Sequence, residues 1–405
     1  MASPLTTQGQ APAKARDPRL DFFRGIGMFI ILIAHITNNP WTLWIPARFG
    51  FSDATEMFVF CSGMASALAF GGVFARAGWA MGTLRIALRV WQVYWVHLGV
   101  FFATLMLMLA INSTGIFARD EVGALNLYPF LNSTGPNLIG LLTLTYVPNY
   151  FDILPMYLVI LALIPVLMAL AQIDVRLAIL TSIALWVAAT AGLNLPAELW
   201  FQKPSSRQWF FNPFAWQLVF FAGFAWMSGW LPTPPVRRGL IWLAVAVVVL
   251  SVPFAWFKII GLSDVIREMR RDWAVLIDKS DFGLLRFIHF LALAYLAWVV
   301  AGPGGARLRR GGWAGAAIAL ICRVGQQSLA VFAASMVLAR VFGALLNHAG
   351  GGALAALGVN LAGFATIILV ARLAAFFKSQ PWRTARTPAP LPPTAQAVFS
   401  TELRT

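Results

Sequence analysis

The chain has 405 residues, of which 60% are hydrophobic and only 11% are charged, and its formal net charge is +15. A soluble globular protein carries about 25% charged residues, so the composition excludes that class. Apolar stretches of about 20 residues recur along the chain, which predicts an all-α, polytopic membrane protein. The basic residues collect in alternate short loops, a positive-inside pattern that does not indicate nucleic-acid binding.

Polar, proline-rich sequences flank the apolar region. Residues 1–16 lack the pattern of a secretory signal and are predicted to be a disordered cytoplasmic tail, as are residues 378–405. Residues 17–377 are predicted to form one membrane domain. The two cysteines, Cys61 and Cys322, lie in unrelated apolar segments, so the sequence predicts neither a disulfide nor a metal site.

Ten apolar windows predict about ten transmembrane helices. In chain order they lie near residues 21–38, 53–73, 90–111, 153–172, 177–196, 213–230, 239–260, 284–301, 324–346 and 353–377. A further apolar stretch, 138–147, is either re-entrant or an extension of the fourth helix. Because Lys and Arg alternate with acidic residues from loop to loop, both termini are predicted to be cytoplasmic.

The first predicted helix carries two ionisable residues, Arg24 and His35. They are eleven positions apart, which places them on one helix face about 16 Å apart along the axis. Ionisable groups in membrane spans are costly and mark function by default. The structural alternative is that Arg24 extends to the headgroups and His35 ends the helix at the interface.

The second predicted helix opens with "GFSDATEMFVFCSG", in which Asp53 and Glu56 share one face at the membrane level of His35. A carboxylate beside an imidazole fixes the tautomer and raises basicity, as general-base chemistry requires. Asp53 alone fits a helix N-cap equally well, whereas capping explains Glu56 less readily. Ser62-Gly63 predicts a close helix-packing position.

The third predicted helix begins with Arg85 and Arg89, one turn apart and facing the cytoplasm. They are either positive-inside markers or ligands for the phosphates of an anionic donor. On the opposite side of the membrane, "DKSDFGLLRFIHF" clusters four further candidates for binding the acceptor or an acyl carboxylate. The four residues are Lys279, Asp281, Arg286 and His289. Of these, Arg286 and His289 are three positions apart and are expected to face the bundle.

An aromatic segment precedes the sixth predicted helix, in "QKPSSRQWFFNPFAWQ". An aromatic belt at the membrane interface explains it most simply. Aromatic faces beside amide groups also suit a sugar, so Trp209, Asn212 and Trp216 are candidates for contact with a carbohydrate acceptor.

Six blocks of the chain together resemble a known family. The blocks are "RLDFFRGIGMFIILIAH", "GFSDATEMFVFCSG", "NYFDILPMY", "FNPFAWQLVFFAGF", "DKSDFGLLRFIHFLALAY" and "VGQQSLAVF". They are similar to the OpgC-type (osmoregulated periplasmic glucan) succinyltransferases, a branch of the membrane acyltransferase-3 superfamily. The resemblance covers residues 17–377.

This resemblance implies a multi-pass enzyme of the bacterial inner membrane. Its reaction would transfer an acyl group, expected to be succinyl, from a cytoplasmic acyl-CoA to glucose units of periplasmic glucans, with no bound cofactor. The resemblance also implies that Arg24 and His35 carry the chemistry. Two positions depart from the superfamily: Glu56 stands where Asp is usual, and Arg85 and Arg89 are spaced differently.

The residues support one mechanistic hypothesis. His35 acts as general base on a glycan hydroxyl, oriented by Asp53 or Glu56, and Arg24 holds the phosphate or thioester arm of the donor. The pantetheine arm of coenzyme A spans much of the gap. A covalent acyl-histidine relay is a second route. Cys61 has no cationic neighbour in sequence and is not expected to be a nucleophile.

Three other functions remain open from the sequence. A transporter or flippase for an anionic or glycan substrate would also place Arg, His and carboxylates in its spans, although no internal repeat is evident. An O-acetyltransferase acting on another cell-envelope polysaccharide is the second, and a structural partner of another enzyme is the third. The expected partners are the lipid bilayer, acyl-CoA and a periplasmic glucan. The sequence does not determine the oligomeric state.

Overall fold

The computed structural model describes residues 17–198 and 207–383. These residues form α-helices joined by short 3-10 turns, with a single β bridge between Pro196 and Gln208. The predicted tail 1–16 and residues 384–405 lie outside the described residues. In chain order the helices are α1 (Pro18–His35), α2 (Ala54–Ser66), α3 (Gly72–Ser113), α4 (Glu121–Ala124), α5 (Tyr128–Asn132), α6 (Thr134–Leu142), α7 (Ile153–Ile173), α8 (Val175–Thr190), α9 (Pro213–Met227), α10 (Arg238–Ala255), α11 (Phe257–Leu262), α12 (Asp264–Asp272), α13 (Ala274–Ile277), α14 (Leu284–Ala301), α15 (Gly312–Gln326), α16 (Ser328–His348) and α17 (Ala353–Ser379).

Each of the ten predicted windows contains a helix, which confirms a polytopic all-α fold. Two apolar helices, α8 and α9, are shorter than a bilayer-spanning length. Ten crossings and the side on which the termini lie stay predictions. Six helical segments of the described chain are long and apolar enough to cross a membrane: Ala54–Ser113, Ile153–Ile173, Arg238–Ala255, Leu284–Ala301, Ser328–His348 and Ala353–Arg383.

The connection between α2 and α3 is helical, not the loop that the sequence predicts. A π-helical turn, Ala67–Gly71, leads directly into α3, and the chain bends at Gly78, whose φ is +79°. That left-handed conformation costs little only for glycine. Because α3 begins before the bend, Arg85 and Arg89 lie within a helix and not at its start.

Two further segments differ from the sequence interpretation. The stretch 138–147 does not extend the fourth predicted helix, because α6 ends at Leu142 and an irregular segment with Leu144 at φ +59° precedes α7. The predicted loop before the ninth helix contains α15, which crosses α1 through Gly25 and Gly325. The sequence does not predict this helix, because the many glycines and arginines around it interrupt the apolar pattern.

Helices α2 and α9 pack backbone against backbone. A Cβ atom on Gly63 would lie 1.9 Å from the carbonyl oxygen of Phe220, and one on Gly223 would lie 2.3 Å from the carbonyl oxygen of Phe60. This geometry confirms the predicted close-packing position at Ser62-Gly63. Small residues allow such contacts between apolar helices in a membrane protein.

Replacing Gly63 by alanine is expected to destabilise the protein by about 1–3 kcal/mol, because the added methyl group must push two backbones apart. Thermal unfolding in detergent measures the effect. Gly99→Ala is the matched control, since a Cβ there meets no atom within 4 Å. Equal unfolding midpoints for the two variants would contradict the close-packing interpretation.

Candidate active site

Two cavities lie at different levels along α1. The first, here called the His35 cavity, has a volume of about 310 Å³ and is lined by His35, Asp53, Tyr150, Asp152, Phe210 and Lys279, with apolar residues between them. The second, here called the Arg24 cavity, has a volume of about 480 Å³ and is lined by Arg24, Arg85, Arg89, Gln92, Ser328 and Lys378, with uncharged residues between them. The predicted pair on α1 therefore marks two separate sites.

The imidazole of His35 is held by its own helix. Its Nδ1 lies 2.7 Å from the carbonyl oxygen of Ile31, and the ring packs edge-to-face on Tyr150 with the centroids 5.4 Å apart. A carbonyl oxygen only accepts hydrogen bonds, so Nδ1 is the donor and Nε2 of the neutral ring is left as a proton acceptor. This arrangement suits a general base.

The partner of His35 is thus a backbone carbonyl and not the carboxylate that the sequence predicts. Asp53 lines the same cavity, but its Oδ2 is 2.5 Å from Nζ of Lys279 and its Oδ1 accepts a hydrogen bond from the amide of Thr55. Asp53 is the N-cap of α2, which confirms the structural alternative for this residue.

Glu56 is buried and completes a capping box, which is the role that the sequence interpretation disfavoured. Its Oε2 accepts a hydrogen bond from the amide of Asp53 at 2.7 Å, and its Oε1 accepts one from Nε of Arg286 at 2.9 Å. Both oxygens are therefore occupied. Glu56 stabilises the start of α2 and neutralises a buried guanidinium.

Four charged side chains of alternating sign lie beside the His35 cavity, in the order Lys279, Asp53, Arg286 and Glu56. Burial alone would raise the pKa of the Asp53 carboxyl, but the nearby charges of Lys279 and Arg286 lower it below its ordinary value, so Asp53 is ionised. The Lys279 side chain is 32% exposed, whereas that of Arg286 is 10% exposed and bound to Glu56. Lys279 is thus the cation that faces the cavity.

The remaining members of the 278–290 cluster make hydrogen bonds inside the protein. His289 is buried, as predicted for a residue that faces the bundle, and its Nδ1 accepts a hydrogen bond from the amide of Ser52. Asp281 accepts a hydrogen bond from the side-chain amide of Asn212 at 2.8 Å. Neither residue is among those that line the His35 cavity, and contact with an acceptor stays a prediction for both.

The residues predicted to contact a carbohydrate line neither cavity, and that contact stays a prediction. Trp209 and Trp216 are buried, and their indole N–H groups donate to the carbonyl oxygens of Pro196 and Lys279. Asn212 caps α9. Buried indoles need such partners, and these carbonyls lie in segments that the local pattern does not bring together.

Three residues that the sequence did not indicate line the His35 cavity. Phe210 is 48% exposed and lines the cavity with Tyr150 and Asp152. Asp152 precedes α7, and burial raises the pKa of its carboxyl to about 6. The signal for two of these residues is present in the block "NYFDILPMY", where an acid interrupts an otherwise apolar and aromatic stretch.

The Arg24 cavity is cationic. Arg24 donates a hydrogen bond to Oγ of Ser328, and Arg85, Arg89 and Lys378 line the same space. No carboxylate is among the described residues that line it. The structure therefore brings together the two predicted donor-binding arginines with Arg24 and adds a lysine from the end of α17. Such a cluster suits a phosphorylated ligand.

Arg340 and Glu121 form a buried ion pair next to Tyr150. Arg340 of α16 bonds Glu121 at 2.5 Å and Oγ1 of Thr37 at 2.9 Å, and its guanidinium lies 5.6 Å from the centre of the Tyr150 ring. The sequence gives no sign of this pair, because its members are far apart in the chain. It connects the end of α1 to the segment that lines the His35 cavity.

One family model, described as OpgC protein, matches the chain over residues 16–379. Among curated proteins and among solved structures, no match was found. The matched region contains α1 to α17 and therefore both cavities. The chain belongs to the OpgC protein family, which indicates a multi-pass membrane transferase that modifies glucans.

Proposed function

We propose that the protein is an inner-membrane O-acyltransferase that moves a succinyl group from cytoplasmic succinyl-CoA to glucose residues of a periplasmic glucan. One observation carries the proposal: a cationic cavity and a cavity with a free imidazole nitrogen lie at different levels along one helix. The Arg24 end faces the cytoplasm, in agreement with the distribution of basic residues.

The Arg24 cavity is the donor site. Coenzyme A carries several phosphate charges, and guanidinium groups bind phosphate through paired, charge-assisted hydrogen bonds. Arg24, Arg85 and Arg89 supply three such groups, and Lys378 adds an ammonium group. The adenosine phosphates bind there, and the uncharged pantetheine arm extends towards the other cavity.

The His35 cavity is the site of acyl transfer. Nε2 of His35 takes the proton from a glucose hydroxyl while the hydroxyl oxygen attacks the thioester carbonyl. The carbon–sulfur bond breaks, the ester forms, and the proton passes from His35 to the departing thiolate. The same nitrogen would attack the thioester first in an acyl-histidine relay.

The acceptor and the acyl carboxylate have separate partners in this cavity. Asp152 accepts hydrogen bonds from sugar hydroxyls, and the exposed face of Phe210 packs against the sugar ring. Lys279 binds the free carboxylate of the succinyl group, because it is the accessible cation of the cavity. Arg286 is retained by Glu56 and serves the fold.

Replacing Lys279 by glutamine is expected to raise KM for succinyl-CoA by about 10-fold or more, the effect of losing one charge-assisted hydrogen bond, while turnover of acetyl-CoA stays unchanged. Steady-state kinetics with both donors measures the difference. Lys258→Gln, a change at another exposed lysine, is the control. Equal losses with both donors would assign Lys279 a structural role only.

The proposed function is tested by charge and mass analysis of periplasmic glucans from cells that contain the protein and cells that lack it. Succinyl groups that appear only with the protein support the proposal. Acetyl groups, or modification of a different envelope polysaccharide, would identify another acyltransferase. Unchanged polysaccharides, together with no hydrolysis of acyl-CoA by the purified protein, would favour a transporter.

A further inference from the structure

The two cavities share no lining residue, yet the same helices line both of them. On each of α2, α7 and α16 the lining passes from one cavity to the other within four residues, about 6 Å along a helix axis. Three pairs of residues show this change: Phe58 and Ser62, Ile153 and Tyr157, and Phe332 and Ser328. The first residue of each pair lines the His35 cavity, and the second lines the Arg24 cavity. The layer between the cavities is therefore about one helical turn thick.

Two aromatic rings close this layer. Phe58 of α2 and Phe332 of α16 are stacked, with centroids 5.7 Å apart and an interplanar angle of 16°. Ser328, one turn from Phe332 on the same helix, accepts the hydrogen bond from Arg24. The stacked pair thus lines the His35 cavity and is one helical turn from Ser62 and Ser328, which line the Arg24 cavity.

The chemistry of the layer changes across its thickness. On the Arg24 side the three helices present hydroxyl groups, from Ser62, Tyr157 and Ser328. On the His35 side they present the apolar side chains of Phe58, Ile153 and Phe332. A pantetheine arm is a thin, uncharged chain with two amide groups, so its amides match the hydroxyls and its thioester end matches the apolar part.

We propose that the acyl-pantetheine arm of the donor crosses from the Arg24 cavity to the His35 cavity between Phe58 and Phe332, and that these rings contact the arm beside its thioester. The inference rests on the proposed function. Rotation of the two side chains opens the path without breaking any helix, since aromatic side chains change rotamer without backbone movement. In the closed arrangement the stacked rings separate the two aqueous sides.

The test uses the full chain in lipid nanodiscs, with Phe332→Trp as the variant that narrows the path. Its kcat/KM with succinyl-CoA is expected to fall about 10²-fold, the loss typical of reacting groups displaced by about 1 Å. Binding of adenosine 3′,5′-bisphosphate, which lacks the arm, is expected to be unchanged. Phe364→Trp is the matched control, because Phe364, like Phe332, packs against another phenylalanine, here Phe29 of α1, but lines neither cavity.

A Phe332→Trp protein that turns over succinyl-CoA like the wild type would overturn the inference. If that variant does not insert, Phe58→Trp adds the same bulk from α2 and is judged by the same two measurements. Loss of nucleotide binding in parallel with turnover, in a stably inserted variant, would also overturn it. A wild-type protein that binds adenosine bisphosphate weakly and never uses acyl-CoA would instead refute the proposed function itself.

Discussion

Replacement of His35 by alanine is expected to lower kcat for acyl transfer by about 10²–10⁴-fold, the contribution of a positioned general base. Nδ1 of His35 donates to the carbonyl oxygen of Ile31, so Nε2 is the free acceptor in the neutral ring. Alanine leaves no group in this position to take the hydroxyl proton. Transfer of labelled succinyl groups to purified glucan measures the loss.

His348→Ala is the control for this experiment, because His348 packs against Phe117 and lines neither cavity. A stably inserted His35→Ala protein that still acylates glucans would remove His35 from the mechanism. Incubating the wild type with labelled donor and no glucan separates the two routes. Label that stays on the protein indicates an acyl-histidine intermediate, and its absence indicates direct transfer.

Replacement of Arg286 by methionine is expected to destabilise the protein by about 3–5 kcal/mol, the cost of leaving one member of a buried ion pair without its partner. Glu56 is fully buried, and its Oε1 accepts the hydrogen bond from Nε of Arg286. Methionine has a similar length but no charge. Unfolding in detergent, followed by the exposure of buried cysteines, measures the change.

The double variant Glu56→Gln with Arg286→Met is expected to recover most of that stability, because it buries no unpaired charge. The amide oxygen of glutamine still accepts the hydrogen bond that Glu56 takes from the amide of Asp53. If the double variant is as unstable as Arg286→Met, the loss arises from packing around the guanidinium and not from the charge of Glu56.

The candidate site was predicted only in part. The positions of Arg24 and His35 on one helix follow from helical periodicity, and the one-turn spacing of Arg85 and Arg89 follows in the same way. That they share one cavity with Lys378 does not follow, because the lysine comes from the distant α17. The stacked contact of Phe58 with Phe332 likewise joins α2 to α16.

The structure gives other hydrogen-bond partners than the sequence suggests where a local pattern allows several partners. A carboxylate near His35 in sequence suggested a pair, but a helix offers its own carbonyl oxygens to a histidine at its end, and Ile31 supplies one. Asp53 and Glu56 instead pair with Lys279 and Arg286, which lie more than 200 residues away in the chain. The indoles of Trp209 and Trp216 are satisfied by carbonyl groups inside the protein.

The sequence by itself determined the membrane class, the helix at each of the ten apolar windows and the tight contact at Gly63. These features depend on hydropathy and residue size, which act over one or two helical turns. Only the tertiary structure decided which charges pair, which aromatic residues are buried and which side chains share a cavity. In an apolar interior each ion and each N–H group must find a partner, and the packing of distant helices determines which partner is within reach.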